Sequence, residues 1–436
     1  MAPAGRRAPS GRLTAPGRLA LAIDVGTGTQ DVLLLDADRE VENAVRLILP
    51  SPTVILAERI RAATGARRPV LLTGGLMGGG PVAWAARDHA LAGLAISAVP
   101  DAAGTLDDDL DQVRALGITI LPPDAVPGRA AAPGTVTIDL RDVWLPELAQ
   151  ALSAFDVDLA AVDAVAVAVF DHGAAPPGVS DRRFRFERLR ERLAAEPDLG
   201  PIAFSYLEPD VPAAFTRLAT AATAVRGWLD GAGRSRVPVL VMDTGPAAVL
   251  GALDDDRVRR ELVRGRRVVA VNIGNFHTLA MRLEPASDRR VGRVPGTADR
   301  RPGAPRVRIS GVFEHHTGEL TRPQLARFLQ QLADGSIRDA DVFDSQGHGA
   351  LVRPEGSGQA AGSNRARAAG SREARPFLTL SGPRRDLLAG HVVGGLGRPH
   401  LAVPHGDMMQ AGPFGLLRAL AARAPGWREP IERRLG

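Results

Sequence analysis

The chain contains the same short pattern twice, and no other feature narrows its fold as much. Residues 19–38, LALAIDVGTGTQDVLLLDAD, run apolar stretch, Gly/Thr turn, apolar stretch. Residues 266–284, RRVVAVNIGNFHTLAMRLE, repeat that order. Apolar runs of this length bounded by turn residues read as buried strands, so each copy is a strand–turn–strand element. Two such hairpins facing one another would form a clamp.

The segments between and after the hairpins alternate helix and strand signals. Pro52–Ala66 and Pro81–Leu94 have helical spacing, separated by a buried strand at Pro69–Thr73 and a Gly-rich turn at Gly74–Gly80. Strand signals follow at Ile118–Leu121, Thr135–Leu140 and Val165–Phe170, then helices at Phe184–Ala195 and Ala213–Leu229. A second unit opens near Val237 with VPVLVMDTGPAAVLGAL: strand, Gly-Pro turn, helix. PFLTLSGPRRDLLAG repeats that order, Pro323–Ala333 is helical, and LAVPHGDMMQAGPFGLLRALAAR closes the chain with strand, loop and helix. This alternation predicts an α/β protein with mainly buried strands. At 436 residues the chain is too long for one core. Met1–Gly17 reads as a disordered tail. Residues 285–306 and 345–375 lack apolar periodicity and read as mobile insertions.

Two absences exclude whole classes of mechanism. The chain has no lysine, so all 54 basic residues are arginine, and neither a Walker A phosphate loop nor a Schiff base is available. It has no cysteine, which removes thiolate nucleophiles, disulfides and Cys-ligated iron–sulfur clusters. A net charge of +5 is small for this length and no nucleic-acid motif is present, so no nucleic-acid partner is expected. No apolar run approaches the roughly 20 residues of a membrane span, and the N-terminal residues lack the apolar segment of a signal peptide. The expectation is a cytoplasmic protein with no membrane partner.

The hairpin turns offer a route to phosphate that needs no lysine. Glycine lets the backbone approach closely, while N–H groups and Thr hydroxyls donate hydrogen bonds. A carboxylate at a strand end can hold hydrated Mg²⁺. The residues concerned are Asp24, Gly26, Thr27, Gly28 and Thr29 in the first hairpin, and Asn272, Gly274, Asn275 and Thr278 in the second. The motif order resembles the actin-like ATPase superfamily of sugar and acetate kinases, heat-shock chaperone ATPases and actin. That resemblance implies two actin-like, ribonuclease H-like lobes around a central cleft, near residues 18–262 and 263–425, with ATP and Mg²⁺ between the hairpins. It puts Asp24, Gly26 and Thr27 in the first phosphate motif and Asn272, Gly274 and Thr278 in the second. Asp243, a second candidate metal carboxylate, and Gly245 would stand at the entrance of a first connecting helix. Ser381 and Gly382 would form the adenosine turn, and GDMMQAGPFGLLRAL a second connecting helix. Asn272 stands where the superfamily carries Asp, and Pro383 where a second Gly is usual, so phosphoryl transfer follows less directly than the fold. The strings DVGTGTQD, FDHG, VNIGNFHT, FEHHTG and PHGDMMQAGPFGLL are also similar to a domain-of-unknown-function family labelled pyruvate formate-lyase activating enzyme-like. A radical-SAM activase needs three cysteines for its cluster, so that label does not fit the chemistry of this chain.

Histidines form a separate group of candidates. Asp171-His172, His277, Glu314-His315-His316 and His405-Gly406-Asp407 fall at predicted strand ends or turns, which converge on ligand clefts in α/β sheets. If converged, they would bind Zn²⁺, Mn²⁺ or Fe²⁺, or act as general acids and bases, with His172, His277 and His316 as catalytic candidates beside Asp24. The plainer alternative is loop histidines bonded to backbone, with adjacent His315 and His316 pointing to different sides. Arg182, Arg183 and Arg185 are either a clamp for an anionic substrate or, as expected here, the solvated face of a helix. Thr73–Gly80 is either an anion nest or a plain loop. Asp31 reads as a solvated strand residue, and Met408 and Met409 as packing residues. Three functions compete: an ATP-dependent phosphotransferase or ATPase acting on a small molecule or protein, a metal-dependent enzyme using the histidine loops, and a non-catalytic nucleotide sensor or assembly factor.

Overall fold

The computed structural model describes residues 18–176, 178–286, 306–353 and 375–436. The predicted N-terminal tail and most of both predicted insertions lie outside these residues. Among the described residues the chain is mixed α/β, with three sheets and 14 α-helices. It begins with β1 (Leu19–Val25), β2 (Thr29–Asp36) and β3 (Val45–Pro50), then leaves to make β4 (Val70–Gly74), β5 (Ile96–Ala98), β6 (Thr119–Ile120) and β7 (Val136–Leu140). It returns with β8 (Ala164–Val169), β9 (Ser205–Leu207) and β10 (Val239–Asp243). The last group is β11 (Val268–Ile273), β12 (His277–Pro285), β13 (Val307–His316), β14 (Gly347–Val352), β15 (Phe377–Ser381) and β16 (His400–Leu401).

The two large sheets share one plan. Their strand orders are β3-β2-β1-β8-β10-β9 and β14-β13-β12-β11-β15-β16. In each, a central strand has an antiparallel hairpin on one side and parallel strands on the other, except that β9 at the edge of the first sheet runs antiparallel to β10. The parallel side explains the apolar runs: β8 is AVAVAV with all six residues buried, as a strand covered on both faces must be. The third sheet, β6-β5-β4-β7, is wholly parallel and has its own core around Leu56, Ile60, Leu72 and Ile138.

Two helices tie the large sheets together by exchange. The helix Thr244–Ala252 follows β10 of the first sheet and packs on β11, β12 and β15 of the second. The helix Ala411–Arg423 follows β16 of the second sheet and packs on β1, β2, β8 and β10 of the first. They cross where glycine is required: a Cβ on Gly251 would lie 1.7 Å from the Ala411 carbonyl oxygen, and one on Gly415 would lie 1.9 Å from that of Ala247. One cluster of buried apolar residues therefore runs from the first sheet through both helices into the second.

Several sequence expectations are corrected. Residues 347–352, placed in a mobile insertion, form β14 and pair with β13. The helix expected after LTLSGP is only a single 3-10 turn, Arg385–Leu387. The chain does not close at residue 425, because a helix, Pro425–Leu435, follows with Trp427, Ile431 and Leu435 buried. Its first residue is a proline, which suits the first helical turn because no donor is needed there.

Candidate functional site

The strand ends at one edge of each large sheet open into a shared cavity of about 440 Å³. Its walls include Asp24, Gly26 and Thr27 from the first hairpin and Asn272, Gly274 and Asn275 from the second. The two turns are built alike. The Gly26 N–H donates to the Thr29 carbonyl at 2.9 Å, and the Gly274 N–H donates to the His277 carbonyl at 2.9 Å. They also meet tip to tip: a Cβ on Gly28 would lie 2.2 Å from Asn275 Nδ2.

Two carboxyl groups face this cavity from neighbouring strands, Asp24 on β1 and its register partner Asp31 on β2. Asp24 accepts a 2.5 Å bond from Thr244 Oγ1 at the start of the first crossing helix. Burial pushes its pKa up to about 7, with Thr244 opposing and Asp243 adding repulsion. Asp31 is pushed up to about 8 by burial and by Asp24, and its Oδ1 has no hydrogen-bond partner. Asp31 is thus buried rather than solvated, contrary to the sequence expectation. Gly412 packs against Asp24, since a Cβ there would lie 1.8 Å from its Oδ2. Both methionines, Met408 and Met409, line the cavity, and the Met408 sulfur accepts from the Gly382 N–H at 3.3 Å. Gly382 has φ 95°, and a Cβ there would come 2.7 Å from Asn272 Oδ1. The Gly-rich turn also reaches the cavity, with the Gly78 N–H held by Asp142 Oδ1 at 3.1 Å.

Other candidates lie elsewhere. Thr278 is fully buried and bonds Thr317 Oγ1 at 3.0 Å, because the register places it opposite Ile273 as Gln30 is placed opposite Val25. The Thr278 side chain stands on the opposite face of β12 from that of His277. Asp243 caps its helix through the Gly245 N–H and accepts from Arg185 Nη1 at 2.6 Å. Arg185 is the clearest correction to the solvated-face reading, being 1% exposed. It binds Glu314 through two bonds of 2.6 and 2.7 Å, donates to the Asp171 carbonyl at 2.7 Å, and lies 3.8 Å over the Phe170 ring. Burial disfavours its charge, but the two carboxylates outweigh that and raise its pKa. Arg182 bonds the Phe343 and Gly347 carbonyls, and Arg183 stacks on the Phe343 ring.

The histidines divide into two groups. His315 fits the plain reading, with Nδ1 on the His316 carbonyl at 2.9 Å and Nε2 on Ser345 at 3.2 Å. His405 sits apart, against the Phe414 ring and 3.6 Å from Asp254. His172, His277 and His316 converge on one wall of the cavity, joined by His348, which sequence reasoning missed. His348 lies in β14, the strand hidden in the supposed insertion, and its Nε2 is 3.3 Å from His172 Nε2. His277 stacks on Phe170 with ring centroids 3.7 Å apart and planes at 10°. Burial pushes His172 down to about 3, with Arg185 and His316 adding repulsion. It also holds His277 and His348 well below the ordinary value, and lowers His316. All four are therefore neutral imidazoles near pH 7, able to offer lone pairs.

No curated protein matches the chain. A solved structure titled "Mechanism of ATP-Dependent Acetone Carboxylation, Acetone Carboxylase nucleotide-free structure" is similar at 11% identity and a TM-score of 0.17, over 61% of this chain and 44% of that one. The chain thus spans under half the length of that protein, and a likeness this low does not bear on the fold. No helix among the described residues is long and apolar enough to cross a membrane. A family profile matches residues 77–291 and 304–374, a span that includes the second hairpin and all four converging histidines. The chain belongs to the family described as "Putative pyruvate format-lyase activating enzyme (DUF1786)".

Proposed function

We propose that the cavity binds a nucleoside triphosphate with Mg²⁺, held between two actin-like lobes that correspond to the two large sheets. The observation that carries this reading is the pair of like-built glycine turns meeting over a cavity that also holds Asp24 and Asp31. The residues fit the group. Gly26 and Gly274 close the turns with their own N–H groups, and the N–H groups at the turn tips, those of Thr27, Gly28 and Asn275, would donate to phosphate oxygens, which suits a chain with no lysine. The orphaned Asp31 Oδ1 and the raised pKa of both carboxyls are relieved by a divalent cation, which favours their ionised forms. Gly382 and Met408 would face the base and sugar. ATP bound in this way would supply a transferable phosphoryl group to a small-molecule or protein acceptor, or to water. Asn272 in place of a second carboxylate also favours binding with slow turnover, the sensor or assembly-factor reading.

The test is thermal unfolding with ATP, ADP and Mg²⁺, on wild type and Asp24→Ala. At 100 times Kd a native-state ligand adds about 2.7 kcal/mol, so wild type should melt higher and the variant should not respond. No shift at saturating nucleotide would remove the proposal.

A further inference from the structure

We propose that His172, His277 and His348 form a binding site for a borderline divalent metal ion of the zinc class, with one coordination position open to the cavity. The site is independent of the nucleotide reading and uses different residues. Each of the three side chains offers one nitrogen, and these atoms all lie within 4.8 Å of one another. Two imidazoles bound tetrahedrally at the usual Zn–N distance hold their nitrogens about 3.3 Å apart. The His172 and His348 Nε2 atoms are already separated by 3.3 Å in a ring-to-ring hydrogen bond, whose proton a cation would displace. The His277 nitrogen lies within 4.8 Å of these two, so completing the set at the 3.3 Å spacing takes an inward movement of that ring by up to about 1.5 Å.

Three further observations point the same way. His277 Nε2 is buried without a hydrogen-bond partner, an arrangement proteins avoid unless a ligand satisfies such an atom. Glu314 Oε2 lies 3.9 Å from His348 Nδ1. This is beyond hydrogen-bond distance, but the carboxylate's negative charge on the Nδ1 side of the ring favours a proton there and leaves the Nε2 lone pair for a metal. His316 is set likewise, since its Nδ1 bonds the Gln346 carbonyl at 2.9 Å and must carry the proton. Arg185 repels positive charge at these rings, and its pairing with Asp243 and Glu314 reduces that penalty for a bound cation. Three neutral imidazoles without thiolate suit Zn²⁺, Co²⁺ or Fe²⁺ better than Mg²⁺ or Ca²⁺, which prefer oxygen donors. His172, His277 and His316 border the cavity, so an ion here would face whatever substrate enters it.

The experiment uses the full chain, stripped with a chelator and titrated with Zn²⁺ or Co²⁺ alone. Wild type should take up one equivalent of Co²⁺ with the visible absorption of a tetrahedral nitrogen site. His172→Phe and His277→Phe, which keep an aromatic ring, and His348→Ala should each weaken binding ~100-fold or more. Asp24→Ala and the exposed-site control His391→Ala should leave it unchanged, which separates this site from the nucleotide site. X-ray absorption of the Zn²⁺-loaded wild type decides the matter even where a variant fails to fold. Three or more imidazoles around the metal support the site; two or fewer, or no uptake by wild type, overturn it.

Discussion

The two hairpins share a backbone and differ in chemistry. Asp24 and Asn272 occupy the same register position, one residue from the end of β1 and β11, and each is followed two residues later by the glycine that closes the turn. Thr29 and His277 then open the second strands, and Asp31 corresponds to Leu279. The first hairpin thus presents carboxyls to the cavity, and the second presents an amide and an imidazole. The same strand–turn–strand geometry, used twice, makes one acidic wall and one wall of neutral nitrogen donors. Burial acts on both walls but in opposite senses: it raises the acids of one and lowers the histidines of the other.

The largest expected effect comes from cutting the ion cluster that joins the walls. Arg185 pairs with Asp243 at the end of β10 and Glu314 on β13, so Arg185→Met strands two buried carboxylates. A loss of about 3–5 kcal/mol is expected in denaturant melts. A loss below ~1 kcal/mol would mean the two sheets do not depend on this bridge.

Next is the dependence on pH, where the walls should pull in opposite directions. Asp24 and Asp31 bind protons more tightly folded than unfolded, so between pH ~4 and ~8 they make stability fall as pH rises. His172 and its neighbours bind protons less tightly folded, so between pH ~3 and ~6.5 they make stability rise with pH. Asp24→Asn should flatten the alkaline fall by on the order of 2–4 kcal/mol at pH 8. His172→Phe should flatten the acid limb instead. The two windows overlap, so what discriminates is the sense: if both variants change the slope of stability against pH in the same direction, the assignment of charges to walls is wrong.

A smaller effect tests the contact between the turns. Gly28→Ala forces Asn275 aside, at a cost of about 1 kcal/mol, and Asn275→Ala in the same chain should recover most of it. Additive losses would show that the tips do not touch in solution. The smallest effect is a control on the helix Thr216–Gly231, where a Cβ on Gly227 meets nothing within 4 Å. Gly227→Ala should stabilise by roughly 0.5–1 kcal/mol, whereas Gly251→Ala at the crossing should destabilise.

Much of this architecture is legible in the sequence because it is local. Apolar runs broken by Gly-Thr or Gly-Asn mark the hairpins, and the strand–Gly-Pro–helix order of VPVLVMDTGPAAVLGAL marks the first crossing helix. What failed depends on partners distant in the chain. Arg185 sits in a run of Arg and Glu that reads as solvated, and only pairing with a residue 129 positions away shows that it is buried. His348 sits among Gly, Ser and Ala, where β14 has too few apolar residues to signal a strand and takes its order from β13. Thr278 corresponds in register to Gln30 and not to Thr29, and one position in a strand is enough to turn a side chain to the opposite face. The terminal helix was hidden by Pro425 and Pro430, residues that usually stop helices.

The exchanged helices also have a consequence in time. The first sheet is complete in sequence at Asp243, yet the helix that covers its face begins only at Ala411. Arg433 and Arg434, which clasp the Ala37 carbonyl, are joined to it across 396 and 397 positions. During synthesis at ~5–20 residues per second, the nascent first half waits on the order of ten seconds or more with Ala20, Ala22 and the apolar face of β8 uncovered. The helix Thr244–Ala252, eight of whose nine residues end up buried, waits for β11, β12 and β15 to be made. Neither half can finish alone, so a ribosome that stalls in the second half releases a chain with a large sticky surface, and such a chain is a natural client for chaperones.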